Sequence, residues 1–469
     1  MTPSTSTETA RPGKVLRTFS SLKVRNFRYY FAGQSVSLMG TWMQGVAQSW
    51  LVFTRTHSGF DVGLVVALQT LPILLFGPLG GTVADRFRKY DIIRLTQTLA
   101  GLQALTLGLL EVTGHLPTWA IYAVATSLGF VTMVDNPTRQ TFIVEMVGRD
   151  ELANAVTLNS VMVNAARAVG LAVAGELIAT VGTGWCFLIN AVSYLFVLGA
   201  LKAIHTDELS PAERTSRMKG QLTEGFRYVA HTPVLRDALL MMALVGMLAY
   251  EFQVSLPLMA GSTFHGNSAT YGYLTASMGV GAVVGGLIAA SNRSHQPRRL
   301  ATTALLFGGT ILLAAVAPTT LTEMLALLLV GALSVTFLSL GNAILQLQAD
   351  PSMRGRVMGL WSVAFLGSTP IGGPIVGVVG GTLGARYGLG LGGVATLVAG
   401  GLGHLTLLRK RASEPPGARA VITETPISQE TPVVVIPVGV SESSVARRAD
   451  PGAARADRSQ RLTAPPRTP

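Results

Sequence analysis

The sequence predicts an all-α integral membrane protein with twelve transmembrane helices in two pseudo-symmetric six-helix bundles. Three observations predict it. Of 469 residues, 49% are hydrophobic and only 13% charged, with a mean hydropathy of +0.45, whereas soluble domains carry roughly 25% charged residues. The apolar residues gather into twelve runs, each near the roughly 20 residues an α-helix needs to span a bilayer. Basic residues then collect in alternate loops, as the positive-inside rule requires. Strands of a membrane barrel would alternate over about ten residues instead of staying apolar for a helix length, so a β-barrel is excluded.

Taken in order, the spans are expected at 27–53, 60–84, 91–112, 117–135, 153–181, 183–204, 236–262, 270–291, 300–317, 321–346, 356–383 and 388–408. Residues 1–26 carry Arg11, Lys14, Arg17, Lys23 and Arg25 without an apolar core or cleavage site, so they read as a cytoplasmic segment and not a signal peptide. The basic set continues with Arg86–Lys89, Arg139 and Arg149, the 205–235 segment, Arg293, Arg298 and Arg299, Arg354 and Arg356, and Arg409–Arg411. The opposite loops hold little beyond Arg55 and Arg386. Both termini are therefore expected in the cytoplasm, and the chain in a plasma (bacterial inner) membrane. The polar 205–235 segment divides residues 27–204 from 236–408 as two six-helix halves, with a short amphipathic helix near 221–229 placing Leu222, Phe226 and Val229 on one face. A weak repeat at an offset of about 205 residues relates Gly81–Arg86 to Gly286–Arg293. From 409 to 469 the chain turns Pro-, Ser-, Thr- and Arg-rich, a disordered cytoplasmic tail by composition.

Polar residues inside the spans are the candidates for function, because each is costly in hydrocarbon. In the first span Gln34, Ser37, Thr41, Gln44 and Gln48 recur at spacings of three and four, a single stripe that must face protein or water. Interhelical bonding and cavity lining both fit it. Ser339, Asn342 and Gln346 form a similar set in the tenth span, while Gln97 and Gln103 in the third read as packing contacts. Two charges fall near the midplane, Arg167 in the fifth span and Glu251 in the seventh. Arg167 reads either as an anchor to backbone carbonyls or as a cavity charge. Glu251 reads either as a permanently protonated acid or as a group that exchanges a proton in each cycle, with Arg167 close to it across the two halves. Asp135 is the next acid in line for that role.

One stretch carries most of the loop chemistry: Gly77-Pro-Leu-Gly-Gly81-Thr-Val-Ala-Asp85-Arg86-Phe-Arg88-Lys-Tyr-Asp91. Its glycines permit close helix approach, and Asp85 sits at a helix C-terminus, where the macrodipole disfavours an anion and a partner is needed. The stretch resembles the loop between helices 2 and 3 of the major facilitator superfamily, with Arg88 where that family usually has glycine. Asp135-Asn-Pro-Thr-Arg139, Leu152-Ala-Asn-Ala-Val-Thr-Leu-Asn-Ser160, Asn164-Ala-Ala-Arg167-Ala-Val-Gly170 and Arg354-Gly-Arg356-Val-Met-Gly-Leu-Trp361 resemble the enterobactin-exporter and macrolide-efflux-like branch. The resemblance covers roughly residues 15–410. It implies twelve helices, alternating access and export of a small molecule; the expectation is proton-coupled efflux of an amphipathic compound of the drug or siderophore class. The Gly-Pro pair common in helix 5 of the superfamily's antiporters is absent, since Leu171 follows Gly170. Import or facilitated passage, and a receptor or embedded enzyme on the same scaffold, are the alternatives.

Within this frame Gly81, Asp85, Arg86 and Arg88 are expected to form a conformational latch with Arg354 or Arg356. Enzyme signatures are missing: there is no Gly-x-x-x-x-Gly-Lys-Ser/Thr phosphate loop, His-Glu-x-x-His or Gly-x-Ser-x-Gly. Seven scattered histidines and the lone Cys186 offer no metal cluster and no internal disulfide. The net charge of +12 lies in loops and tails, so it reads as topology and not as a nucleic-acid surface. The expected partners are a small-molecule substrate, protons and the bilayer. No cofactor is expected, and the chain is read as a monomer.

Overall fold

A computed structural model describes residues 19–148, 151–210, 221–291, 296–350, 353–365 and 367–413. The described residues are almost entirely helical. The first half holds α1 (Arg25–Thr56), α2 (Gly59–Arg86), α3 (Lys89–Val112), α4 (Thr118–Val147), α5 (Leu152–Val181) and α6 (Thr183–Lys202). A short α7 (Gln221–His231) precedes α8 (Pro233–Leu248), α9 (Phe252–Leu258), α10 (Ser268–Ser291), α11 (Pro297–Ala315), α12 (Thr320–Gln348), α13 (Arg354–Phe365), α14 (Thr369–Thr382) and α15 (Ala385–Ser413). Ten helical stretches among the described residues are long and apolar enough to cross a membrane. α1 and α3 are the two further long helices. α1 carries the polar stripe, and α3 carries Lys89, Asp91 and Arg94 at its start. Yet α3 exposes Leu95, Leu99, Leu102 and Leu109 at helical spacing, an outward apolar face suited to lipid.

Local chemistry ends these helices abruptly. His57 takes the left-handed conformation at the end of α1, and the Ser58 side chain then caps α2 by accepting from the Asp61 N–H at 3.2 Å. Gly148 and Gly182, at φ of 69° and 89°, end α4 and α5. The sequence predicts unbroken seventh and eleventh spans, and here the structure differs. The seventh breaks at Ala249–Glu251 and its second piece, containing Pro257, runs into a π-turn at Met259–Thr263. The eleventh breaks between Phe365 and Thr369, because Pro370 in the first turn of α14 has no N–H to continue the earlier helix. Each helix of the first half, by contrast, runs through.

In the first half α1 packs on α5 and α6, α2 on α4, and α3 on α4 and α6; in the second, α10 packs on α12 and α11 on α12 and α15. The halves meet along α2 with α14 and α5 with α10. Both contacts are backbone on backbone: a Cβ added to Gly63 would strike the Gly373 carbonyl, and one on Gly175 would strike the Gly272 backbone. These glycines lie toward the ends of the helices remote from the start of α1, hereafter the far end. At the near end α13 packs on α7, α8 and α12.

α7 occupies the expected amphipathic position but turns differently. Gly225 lets it approach Arg356, Val229 is buried, and Phe226 is 67% exposed instead of sharing the buried face. The side chain of Leu222, residues 211–220 and the tail from 414 onward lie outside the described residues.

Candidate functional site

The polar stripe of α1 is directed at neighbouring helices. Gly40 brings α6 close enough for Asn190 Nδ2 to donate to Gln44 Oε1 at 2.6 Å, and Ser193 Oγ donates to Asn190 Oδ1 at 2.9 Å. Thr41 lies 3.3 Å from the Tyr194 hydroxyl, and Gln69 Nε2 of α2 donates to Gln48 Oε1 at 3.0 Å. Gln34 and Ser37 are equally buried, and Gln34 Oε1 has no partner. Such bonds are retained because lipid offers no alternative, though each contributes only about 0.6 kcal/mol on average. Three of the five stripe residues thus reach a neighbouring helix, while Gln48 Nε2, like Gln34 Oε1, has no partner.

Asp135 is similarly engaged. Thr96 Oγ1 and Gln97 Nε2 of α3 donate to its Oδ1 at 2.6 and 3.0 Å, while Arg139 Nε meets its Oδ2 at 2.7 Å, one turn along α4. Gln97 thus holds an acid, where the sequence suggested packing alone. Nearby, Lys89 pairs with Glu145 at 3.0 Å, tying the start of α3 to the end of α4.

The second centre forms where the two helix breaks meet. Tyr250, in the break of the seventh span, sets its ring edge-on to Phe365 at 4.8 Å, at the break of the eleventh. Its hydroxyl donates to the Ser334 carbonyl of α12 at 2.6 Å. Glu251 follows. Its carboxylate is 3% exposed and turns toward the first turn of α14, with the Thr369 hydroxyl as its polar neighbour and Gly372 and Gly373 leaving room for it. Oε1 has no hydrogen-bond partner. The positive end of α14 thus faces an acid side chain, the arrangement that discontinuous helices give to charged sites in membranes.

Arg167 and Glu251 do not form the pair the sequence suggested. The Arg167 guanidinium lies over the Trp42 ring, 5.1 Å from its centroid, and its charge acts on Tyr250. Glu251 makes no ion pair among the described residues. The physical reason is the break: unwinding at Tyr250 sends successive side chains to different neighbours, Tyr250 to the aromatic cluster and Glu251 to α14.

The remaining candidates scatter. Asn342 Oδ1 is buried without a partner on α12, and Gln346 is exposed. Arg356 pairs with Glu224 of α7 at 2.9 Å, Arg354 is exposed, and Arg88 makes only a loose 3.8 Å contact with Asp91. Arg86 lies over the Phe87 ring, and Gly81 is buried in α2. The side chain of Asp85 lies outside the described residues.

Two further groups escaped the sequence reading. Tyr250 carries no charge and so gave no signal. Glu323, in the first turn of α12, is fully buried with neither carboxylate oxygen hydrogen-bonded, and Arg386 is its cationic neighbour. No group of three or more His, Cys, Asp or Glu residues that could hold a metal occurs among the described residues.

The fold is that of a multi-pass helical membrane protein, and the proteins the chain resembles in sequence are membrane transporters. The family of transmembrane secretion effectors matches residues 16–445, and the chain belongs to that family of the major facilitator superfamily. It is 27% identical over 399 residues to the enterobactin exporter EntS of Shigella boydii, covering 84% of this chain and 95% of that one. It is 24% identical over 265 residues to the staphyloferrin A transporter of Staphylococcus aureus, covering 56% of this chain and 66% of that one. Among solved structures, a bacterial homologue of the lysosomal transporter Spinster superposes with a TM-score of 0.62 at 16% identity, covering 83% and 96% of the two chains. A POT family transporter in complex with 5-aminolevulinic acid gives 0.64 at 11%, covering 83% and 97%. At such identities the likeness is one of fold.

Proposed function

We propose that the chain is a proton-coupled exporter that carries an amphipathic small molecule of the siderophore or drug class across the bacterial inner membrane. Residues 27–204 and 236–408 rock against one another about the glycine contacts. With both termini in the cytoplasm, the far-end closure makes this conformation inward-facing. The relatives named as enterobactin exporter and staphyloferrin A transporter support the substrate class.

One observation carries the coupling: Glu251 is buried at the meeting of two helix breaks, with an unpartnered oxygen and no ion pair among the described residues. Burying it as an unpaired anion costs several kcal/mol, and binding a proton removes that cost. Rocking that brings water or Arg167 to the carboxylate reverses the balance, and only such a difference between states couples proton to substrate. Glu251→Gln should abolish uphill transport driven by an imposed pH gradient in proteoliposomes while leaving substrate binding and passive exchange. Uphill pumping by Glu251→Gln would assign the coupling elsewhere. Accumulation in cells with and without the chain, across siderophores, dyes and antibiotics, tests direction and substrate. Higher accumulation in its presence would mean import.

A further inference from the structure

A cavity of about 370 Å³ opens away from both centres, at the near end between α10, α11 and α12. Its lining divides into two parts. Ile288 of α10 and Leu340 of α12 form an apolar floor, and Ile288 is 55% exposed on the outer surface of the helices, where lipid tails run. Above them stand Arg298, Arg299, Thr302 and Thr303 of α11, with no carboxylate in the lining. The four come from two successive turns of one helix, so they share a face.

Two independent features mark the polar part as a place for an anion. α11 starts here, and its N-cap Gln296 supplies no side-chain bond to the first turn; Pro297 has no N–H and the Arg299 N–H bonds the Gln296 carbonyl at 3.0 Å, so the Arg298 N–H and the helix dipole are what this end offers an acceptor. Thr303 is only 9% exposed, it lines the cavity, and its hydroxyl makes no hydrogen bond among the described residues. Thr302, by comparison, is already engaged with the Arg298 carbonyl and with His404.

We infer that this cavity binds the headgroup of an anionic phospholipid: the phosphate is met by Arg298, Arg299, Thr303 and the helix N-terminus, and an acyl chain lies along Ile288. A lipid is favoured over a free anion because the polar lining borders the apolar Ile288, Ala289 and Leu340, with Ile288 55% exposed on the outer helix surface. Arginines at the level of the headgroups suit this task, since guanidinium forks match phosphate oxygens. The inference does not depend on what is transported or in which direction.

The test is native mass spectrometry of the purified chain in detergent, titrated with phosphatidylglycerol, with phosphatidylcholine and with inorganic phosphate. One phosphatidylglycerol should bind per chain at least tenfold more tightly than phosphatidylcholine, and millimolar phosphate should not displace it. Arg298→Gln with Arg299→Gln should weaken that lipid about thirtyfold, at about 1 kcal/mol per basic contact. Thr303→Val, which removes a hydroxyl without touching charge, should weaken it several-fold, and Arg25→Gln in the other half should change nothing. Equal binding of the two lipids, or unchanged phosphatidylglycerol binding in either α11 variant, would overturn the site. Displacement of the lipid by phosphate would make it a free-anion site and overturn the lipid assignment.

Discussion

Asp135 in α4 and Glu251 at the break between α8 and α9 are both buried acids, yet their surroundings differ. Asp135 is met on Oδ1 by two donors and on Oδ2 by Arg139, while Glu251 has an unpartnered oxygen and a helix N-terminus ahead of it. Asp135→Asn leaves the partly exposed Arg139 cation without its counter-charge and deprives Thr96 and Gln97 of a charged acceptor, a loss of about 1–3 kcal/mol. The expected outcome is a clear fall in the thermal midpoint of the purified protein. Adding Arg139→Gln should recover part of it, because the stranded charge goes too. An Asp135→Asn protein as stable as wild type but unable to use a pH gradient would instead place Asp135 on the proton path. The sequence ranked Glu251 ahead of Asp135 by its depth in the span but showed the partners of neither. What separates them is the surroundings: Thr96, Gln97 and Arg139 bond Asp135, whereas Glu251 lies against Gly372 and Gly373 with an unpartnered oxygen, and these groups come from other turns and other helices. Arg167 shows the same limit, since it reads as a midplane charge from sequence alone but is stacked on Trp42 in the fold.

At the scale of elements, hydropathy located the membrane-length helices because lipid rewards every apolar face alike. Breaks inside a span left weaker traces. Gly367 and Pro370 bracket the interruption of the eleventh span, whereas the interruption at Tyr250 precedes Pro257 by more than a turn and has no breaker of its own. The glycines of the interface were visible as composition, but their pairing across the halves was not. Gly175 and Gly272 set two backbones in contact, and no side chain fits between them. Gly175→Leu should therefore wedge the far end apart and abolish transport while the chain still inserts. A reporter cysteine replacing Ser268, beside that contact, should react faster with an aqueous maleimide in the Gly175→Leu protein. Cys186 is fully buried and adds little background. Equal labelling rates together with normal transport would show that the contact does not gate.

On the scale of the whole molecule, the near-end charges offer a way to hold the alternate state. In this conformation Arg356 is taken by Glu224 of α7, a residue of the segment that links the halves. We propose that closing the near end moves Arg356 or Arg354 to Asp85, helped by the positive end of α13 beside them. Asp85→Asn should then lower transport without lowering the amount of inserted protein. Normal transport by an inserted Asp85→Asn chain would dismiss the latch. The broken helices have a consequence of another kind. A half whose helices all run through behaves as a stiff plate, whereas one with elbows in two adjacent spans can yield locally to guests of different outline. The breadth of cargo is then expected to be decided at the elbows around Tyr250 and Phe365, with the opposite half serving as the anvil against which each guest is shaped.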